Sequence, residues 1–255
     1  MEEEKPAPPQ QTQHKGFLEE LMGDVFNLDR GLPGTIWGMI KTPGEVIDAY
    51  FTDRGKYVTP LRYCIFILAV TTFISVRFVD YEEMMKNAME MGAGGGLEDT
   101  IEQLSEAIPS FDWKAYFEAV TEISVSLLQK FNQVLYLVLL APPMAFFLKL
   151  FFKKNKGRFI EHYVLMVYSL TTLSIFGLLM IPFMLTLENA DSWLSFLFGL
   201  PVTFIFLMWT SIKYLGLKGF SEYLQAFLAL FLGYLVFAIV QAIVTYIGAY
   251  LMVVL

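Results

Sequence analysis

Residues 224–251 read LQAFLALFLGYLVFAIVQAIVTYIGAYL, and this stretch decides the fold class of the chain. No Asp, Glu, Lys or Arg interrupts it. An α-helix rises about 1.5 Å per residue, so roughly 20 residues cross the hydrocarbon core of a bilayer, which is about 30 Å thick. The stretch therefore predicts a transmembrane helix with residues to spare for tilt or for extension beyond the bilayer.

Four further apolar runs precede this one, at residues 61–79, 131–152, 163–187 and 193–212. Of the 255 residues, 56% are hydrophobic, and the mean hydropathy is +0.53. A soluble domain of this length fills its core without such an excess, so the surplus must face lipid. We expect an all-α fold, in which residues 61–255 form a polytopic bundle of five transmembrane helices.

Lysine and arginine are concentrated in alternate connections between the predicted spans. Cytoplasmic connections of membrane proteins are enriched in these two residues. The pattern predicts a cytoplasmic amino terminus and an extracytoplasmic carboxyl terminus. The residues assigned to the cytoplasmic side are Lys5, Lys15, Arg30, Lys41, Arg54 and Lys56 before the first span, Lys153, Lys154, Lys156 and Arg158 after the second, and Lys213 and Lys218 after the fourth.

Three segments outside the spans have different compositions. Residues 1–15, rich in Glu, Pro and Gln, are expected to be a disordered tail, and they lack the apolar core of a signal peptide. Residues 16–60, here named the collar, are expected to form short amphipathic helices at the cytoplasmic face, one of them starting at Thr42-Pro43-Gly44-Glu45. Residues 80–130 carry eleven acidic residues against three lysines and are expected to form a helical outer loop with a solvated acidic face.

Two stretches near the cytoplasmic face, 53–62 and 149–162, predict a basic belt. Anionic lipid attracts each basic residue near the surface by roughly 1 kcal/mol, which makes the belt a candidate site for lipid or partner contact. The positive-inside rule explains the same residues without any further role. The belt consists of Arg54, Lys56, Arg62, Lys153, Lys154, Lys156 and Arg158, with Glu161 and His162 beneath it.

No pattern in the sequence predicts a catalytic residue, a cofactor site or a metal site. Cys64 is the single cysteine and is interpreted as a small buried hydrophobe. Glu161 and His162 are adjacent, so on a helix they point about 100° apart and form no ready acid–base pair. His162 has three open roles: pairing with Glu45 or Asp48, contacting a lipid or ligand, or catalysis.

The middle of every predicted span lacks ionisable residues, which argues against a proton-coupled pump. A channel or a carrier for uncharged molecules stays open. Nucleic acid is not an expected partner, because the chain has no basic domain to neutralise phosphates.

The last span carries a stripe of small residues that predicts close helix packing in lipid. Gln241 adds a side chain able to hydrogen-bond across the interface. The neighbouring helix belongs either to the same bundle or to another subunit. The predicted face consists of Ala238, Gln241, Ala242, Thr245 and Ala249.

Two motifs resemble a known family. One precedes the first span and reads Leu28-Asp29-Arg30-Gly31-Leu32, then Thr35, Pro43-Gly44, Tyr50 and Arg54-Gly55-Lys56-Tyr57 before Pro60; the other is Glu161-His162 at the third span. The chain is similar to an uncharacterised bacterial family of polytopic membrane proteins, recorded only as a domain of unknown function. The resemblance implies a bacterial cytoplasmic membrane and no particular activity. Many relatives begin with a zinc ribbon, which this sequence lacks.

The sequence thus favours a non-enzymatic interaction or scaffolding protein of the bacterial cytoplasmic membrane. Its expected partners are the bilayer, including anionic head groups, and a membrane or cytoplasmic protein. The alternative is a small-molecule or ion transporter or channel. A closed bundle with an apolar patch on the collar would favour interaction, and a continuous polar cavity between spans would favour transport.

Overall fold

The computed structural model of the chain describes residues 28–92, 96–130, 135–152, 158–186 and 192–255. The predictions made for the tail, residues 1–15, and for the first part of the collar, residues 16–27, lie outside this range. Within it the regular structure is entirely helical, which confirms the all-α fold class.

Ten α-helices are described. The collar contains α1 (Leu28–Lys41) and α2 (Pro43–Thr52), and the first apolar run is α3 (Pro60–Phe78). The outer loop contains α4 (Tyr81–Gly92), α5 (Leu97–Ala107) and α6 (Trp113–Lys130). A π-helix (Leu135–Leu140) leads into α7 (Ala141–Phe151), which is followed by α8 (Phe159–Thr186), α9 (Ser192–Leu215) and α10 (Phe220–Val254).

Among the described residues, three helical stretches are long and apolar enough to cross a membrane: Pro60–Phe78, Phe159–Leu179 and Phe220–Val254. These stretches match the first, third and fifth predicted spans. Two shorter apolar helices correspond to the other two predicted spans. Val138–Phe151 lies within the second predicted span, and Gly199–Leu215 extends past the end of the fourth. The described residues therefore contain three candidate spans, and the total of five spans remains a prediction.

The centre of the bundle is α8, which packs against α3, α7 and α9. Every residue from Val164 to Thr172 is buried, so this helix has no lipid-facing side over more than two turns. The α10 helix packs most extensively against α7, where Gly233 lies on the backbone of Met144. The Gly233 side of α10 therefore faces the bundle.

The predicted small-residue face of α10 is only partly the one that the structure buries. Thr245 and Ala249 are buried, whereas Ala238, Gln241 and Ala242 are half-buried. Nearer the amino-terminal end of the helix, the fully buried small residues are Ala226, Ala229 and Gly233. The helix is apolar on all sides, so hydrophobic periodicity could not show which side packs.

Two consecutive prolines explain the π-helix before α7. Pro142 and Pro143 have no N–H to donate to the carbonyls four residues earlier, those of Val138 and Leu139. The prolines occupy the start of α7, where a missing donor is tolerated, and the preceding residues 135–140 take the wider π geometry. The proline pair is thus accompanied by a change of helix type.

The outer loop packs on the carboxyl-terminal half of α10. Val120 and Ala119 of α6 form a small core with Ala249, and Phe111 stacks on Tyr250 with ring centroids 5.9 Å apart. At 1.5 Å per residue, the 35 residues of α10 span about 52 Å, well beyond the roughly 30 Å of a bilayer core. The outer loop packs on the end of α10 that exceeds the bilayer thickness.

Candidate functional site

Hydrogen bonds to Val58, in the segment between α2 and α3, hold the collar together and join it to the bundle. The buried hydroxyl of Thr35 accepts a bond from the Val58 N–H at 3.0 Å and donates one to the Gly31 carbonyl at 2.6 Å. The Tyr168 hydroxyl, in the centre of α8, donates to the Val58 carbonyl at 2.6 Å. Both backbone groups of Val58 are therefore satisfied by buried side chains, which holds the turn in one position.

The second attachment is a close approach of α2 to the end of α9. A β-carbon at Gly44 would lie 3.2 Å from the Lys213 carbonyl oxygen and 3.5 Å from the Tyr214 Cα. Val46 and Ile47 lie on the same short helix and are completely buried. The inner side of α2 is thus a packed interface, and only its outer side is available to a ligand or partner.

The start of α2 shows how local sequence sets this geometry. Thr42 occupies the N-cap position and Pro43 the first helical position, as predicted. The Thr42 side chain, however, makes no capping hydrogen bond to the helix backbone. Glu45 is instead paired with Lys56, whose Nζ lies 2.5 Å from its Oε1.

Four cations at this end of the molecule lie over aromatic rings. Lys41 Nζ is 4.5 Å from the ring centroid of Trp37, and Lys213 Nζ is 4.5 Å from that of Trp209. The two remaining pairs, Arg54 with Tyr50 and Lys56 with Tyr57, have a separation of 5.6 Å. Trp37 is 58% exposed and Trp209 41% exposed, so both rings face the surroundings. Exposed tryptophan beside lysine is typical of the membrane–water interface.

A polar cleft of about 510 Å³ opens between α2 and the end of α9. Its charged lining consists of Glu45, Asp48, Asp53, Lys56 and Lys213, and Gly44, Ala49 and Thr52 complete its wall. All five charged residues of its lining are exposed, so the cleft is an open depression on the surface and not an enclosed pocket.

The ion pair in the cleft changes the titration of both partners. The hydrogen bond and the charge of Lys56 hold the pKa of Glu45 below its ordinary value. The same hydrogen bond and the charge of Glu45 raise the pKa of Lys56. Both side chains are about half exposed, so the pair orients the collar turn and contributes little to overall stability.

The predicted belt divides into residues on the collar and residues near the start of α3 and α8. Arg54 and Lys56 are exposed on the turn after α2, and Arg62 is exposed in the first turn of α3. Arg158 is exposed just before α8, whereas Lys153, Lys154 and Lys156 lie outside the described residues.

The two remaining members of the belt begin α8. Glu161 is half-buried and His162 is completely buried. Asp48 of α2 and Glu161 of α8 both lie near enough to Tyr214 to interact with it electrostatically. Lys56 lines the same cleft as Lys213, so both stretches of the belt come near the carboxyl-terminal end of α9. A functional role for the belt stays a prediction.

Sequence reasoning missed the cleft, and it treated Lys213 only as a marker of topology. A signal was present: Trp37 and Lys41, like Trp209 and Lys213, are four residues apart on a helix and therefore lie on one face. Two such pairs in one chain could have placed α1 and the end of α9 at the same interface. The carboxylates of the cleft come from α2 and from Asp53 directly after it, and no spacing in the sequence relates them to α9.

The interior of the bundle contains hydroxyl groups, several of which pair with one another. The Tyr63 and Thr172 hydroxyls are 2.9 Å apart, and Ser169 donates to Thr210 at 2.9 Å. The Ser211 hydroxyl is buried and makes no hydrogen bond within the described structure. Among the described residues, no three His, Cys, Asp or Glu side chains lie close enough together to hold a metal ion.

These features define an all-helical protein with three helices able to cross a membrane and a polar cleft at one end of the bundle. No protein-family model, curated protein or solved structure matches the chain.

Proposed function

We propose that the chain is a multi-pass protein of the bacterial cytoplasmic membrane and acts there as a non-enzymatic docking platform. In this proposal its five spans place the collar at the cytoplasmic face. The outer side of the collar contacts anionic lipid and a partner protein. The motif resemblance described above supports the bacterial membrane, and the alternation of basic connections supports the orientation.

The attachment of the collar is the observation that carries the proposal. Buried bonds to Val58 and the contact of Gly44 with α9 hold α2 in one position, while Phe51 and the charged side chains of its outer face stay exposed. This combination favours docking, because a surface that is already ordered loses little entropy when a partner binds.

Site-specific photo-crosslinking in the native membrane tests the proposal. Phe51 on the collar is replaced by a photoreactive phenylalanine analogue, and Phe78, which is exposed at the far end of α3, serves as the matched control. We expect a discrete protein adduct from position 51 and a different pattern from position 78. The same adducts at both positions, or only lipid adducts at position 51, would contradict docking at the collar.

A carrier or channel for uncharged molecules is the second candidate. The buried hydroxyls of Tyr63, Thr172 and Ser169 favour it, together with the Ser211 hydroxyl, which makes no hydrogen bond to any described residue. Hydroxyl groups between spans can line a path for a polar solute. Uptake of neutral solutes by proteoliposomes distinguishes the candidates, since a docking platform moves none.

A further inference from the structure

The outer side of α1 differs in chemistry from the outer side of α2. Among residues 31–41, the exposed side chains are Pro33, Trp37 and Lys41, which follow one another at intervals of four residues and therefore share one face of the helix. No acidic residue occurs in residues 31–41. The outer side of α2, in contrast, exposes two carboxylates. The two helices of the collar therefore suit different surroundings.

The hydrogen bonds to Val58 set the level of α1 along the bundle. The Val58 N–H donates to the Thr35 hydroxyl of α1, and the Val58 carbonyl accepts a bond from Tyr168 of α8. Tyr168 lies nine residues after Phe159, where the stretch able to cross a membrane begins, and so about 14 Å along the helix. A tyrosine side chain is shorter than this distance. The middle of α1 is therefore held beside the apolar stretch of α8 and not beyond its amino-terminal end.

Two tryptophan–lysine pairs from separate helices come close together at this end of the bundle. Lys41 lies three residues before Gly44, and a β-carbon at Gly44 would be 3.2 Å from the Lys213 carbonyl oxygen. Three residues span at most about 11 Å, so α1 ends close to the end of α9. Each of the two lysines lies 4.5 Å from the ring centroid of the tryptophan four residues before it. Lysine is depleted from the centre of protein interfaces, whereas lysine beside tryptophan is typical of the lipid head-group layer.

We propose that α1 lies in the head-group layer of the cytoplasmic leaflet and that phospholipid covers its outer side. The Trp37 ring lies between the head groups and the acyl chains, and the Lys41 ammonium group extends towards the phosphates. This inference rests on the membrane placement proposed above, and it deepens the proposed function. It assigns the lipid contact of the collar to α1 and leaves the outer side of α2 as the surface for a protein.

Tryptophan fluorescence of the full-length protein in vesicles tests this assignment. The vesicles contain phosphatidylcholine and phosphatidylglycerol whose acyl chains carry bromine, a quencher, either near the carbonyl end or near the methyl end. Trp37→Phe removes a ring that is 58% exposed, so the core stays intact, and the emission lost in this variant is that of Trp37. We expect this emission to be quenched most by the shallow bromine, less by the deep bromine and least by iodide present on both sides of the membrane. Quenching by iodide alone would overturn the proposal.

Trp209 and Trp113 serve as references and are measured through the same substitution to phenylalanine. Trp209 is 41% exposed on an apolar helix, so lipid-borne bromine should quench it. Trp113 packs on Phe111, which stacks on Tyr250 near the end of α10, so bromine in the acyl chains should not reach it. Quenching of Trp37 by lipid that is no stronger than that of Trp113 would overturn the proposal. Absence of lipid quenching at both Trp37 and Trp209 would overturn the membrane placement, and this inference with it.

Photo-crosslinking identifies any other occupant of this surface. A photoreactive phenylalanine analogue at position 37 should form lipid adducts. A protein adduct at position 37, including one at twice the mass of the chain from a second copy, would overturn the proposal.

The two experiments together separate this inference from the proposed function. Lipid quenching of Trp37 without a protein adduct at position 51 would count against protein docking alone. A protein adduct at position 51, with Trp37 quenched only by iodide and Trp209 quenched by lipid, would count against this inference alone.

Discussion

At the scale of single residues, Gly233 allows α10 to lie directly against the backbone of α7. A β-carbon there would be 2.5 Å from the Met144 Cα and 2.7 Å from its backbone nitrogen. Backbone atoms cannot rotate away, so the Gly233→Ala variant must separate two helices that are packed together. We expect a loss of about 1–3 kcal/mol, measured by thermal unfolding in detergent.

Gly177→Ala is the matched control for this substitution. Gly177 also lies inside an apolar helix, but a β-carbon there meets no atom within 4 Å. Alanine has the higher helix propensity, so the control should be neutral or more stable by up to about 1 kcal/mol. Equal destabilisation by the two substitutions would contradict the close crossing of α7 and α10.

At the scale of elements, the pair Glu45–Lys56 ties the turn after α2 to the helix itself. The hydrogen bond and the charge of Lys56 hold the pKa of Glu45 low, so the pair stabilises the turn at neutral pH. That contribution is lost as the pH falls through the lowered pKa of Glu45, and again as the pH rises through the raised pKa of Lys56. Lys56→Gln should therefore return the pKa of Glu45 towards its ordinary value.

A pH titration of the Glu45 carboxyl by carbon-13 NMR measures this change. Lys86→Gln is the control, since Lys86 pairs with Glu82 on α4 and not with the collar. An unchanged Glu45 titration in Lys56→Gln would show that the pair does not form in solution, and the turn would then depend on Thr35 and Tyr168 alone.

At the scale of the whole molecule, the orientation of the bundle can be tested by thiol labelling. Single cysteines at Asn87, Ser110, Gly55 and Lys218, all exposed, are introduced in a Cys64→Ser background. In cells with a permeabilised outer membrane, an impermeant reagent should label the first two positions and not the last two. The reverse pattern would invert the topology, and labelling of all four would argue against a spanning bundle.

The sequence predicted individual helices better than the contacts between them. Long apolar runs predicted α3, α8 and α10, because the thickness of a bilayer translates directly into helix length. Thr42-Pro43 marked the start of α2, since proline at the first helical position is a strictly local feature. Local signals and bilayer thickness were therefore enough to predict these four helices.

The contacts between elements could not be read in this way. Ala238 and Ala242 resemble Gly233 and Ala229 in size, and only the crossing with α7 decides which of them packs most tightly. The cleft joins Asp48 and Asp53 to Lys213, which is distant in sequence, through a fold that no local pattern encodes. The Trp–Lys pairs Trp37–Lys41 and Trp209–Lys213 were the local signs that α1 and the end of α9 lie at one interface.

The packing of the outer loop on α10 also fixes an order of events during synthesis. Val120 leaves the ribosome long before Ala249, and the small core they share cannot close until both are in place. At about 5–20 residues per second, the interval is on the order of ten seconds. In the proposed topology, α6 has by then crossed the membrane without its partner helix. The newly made loop is then open to proteases and chaperones, a vulnerability that ends when the last helix inserts.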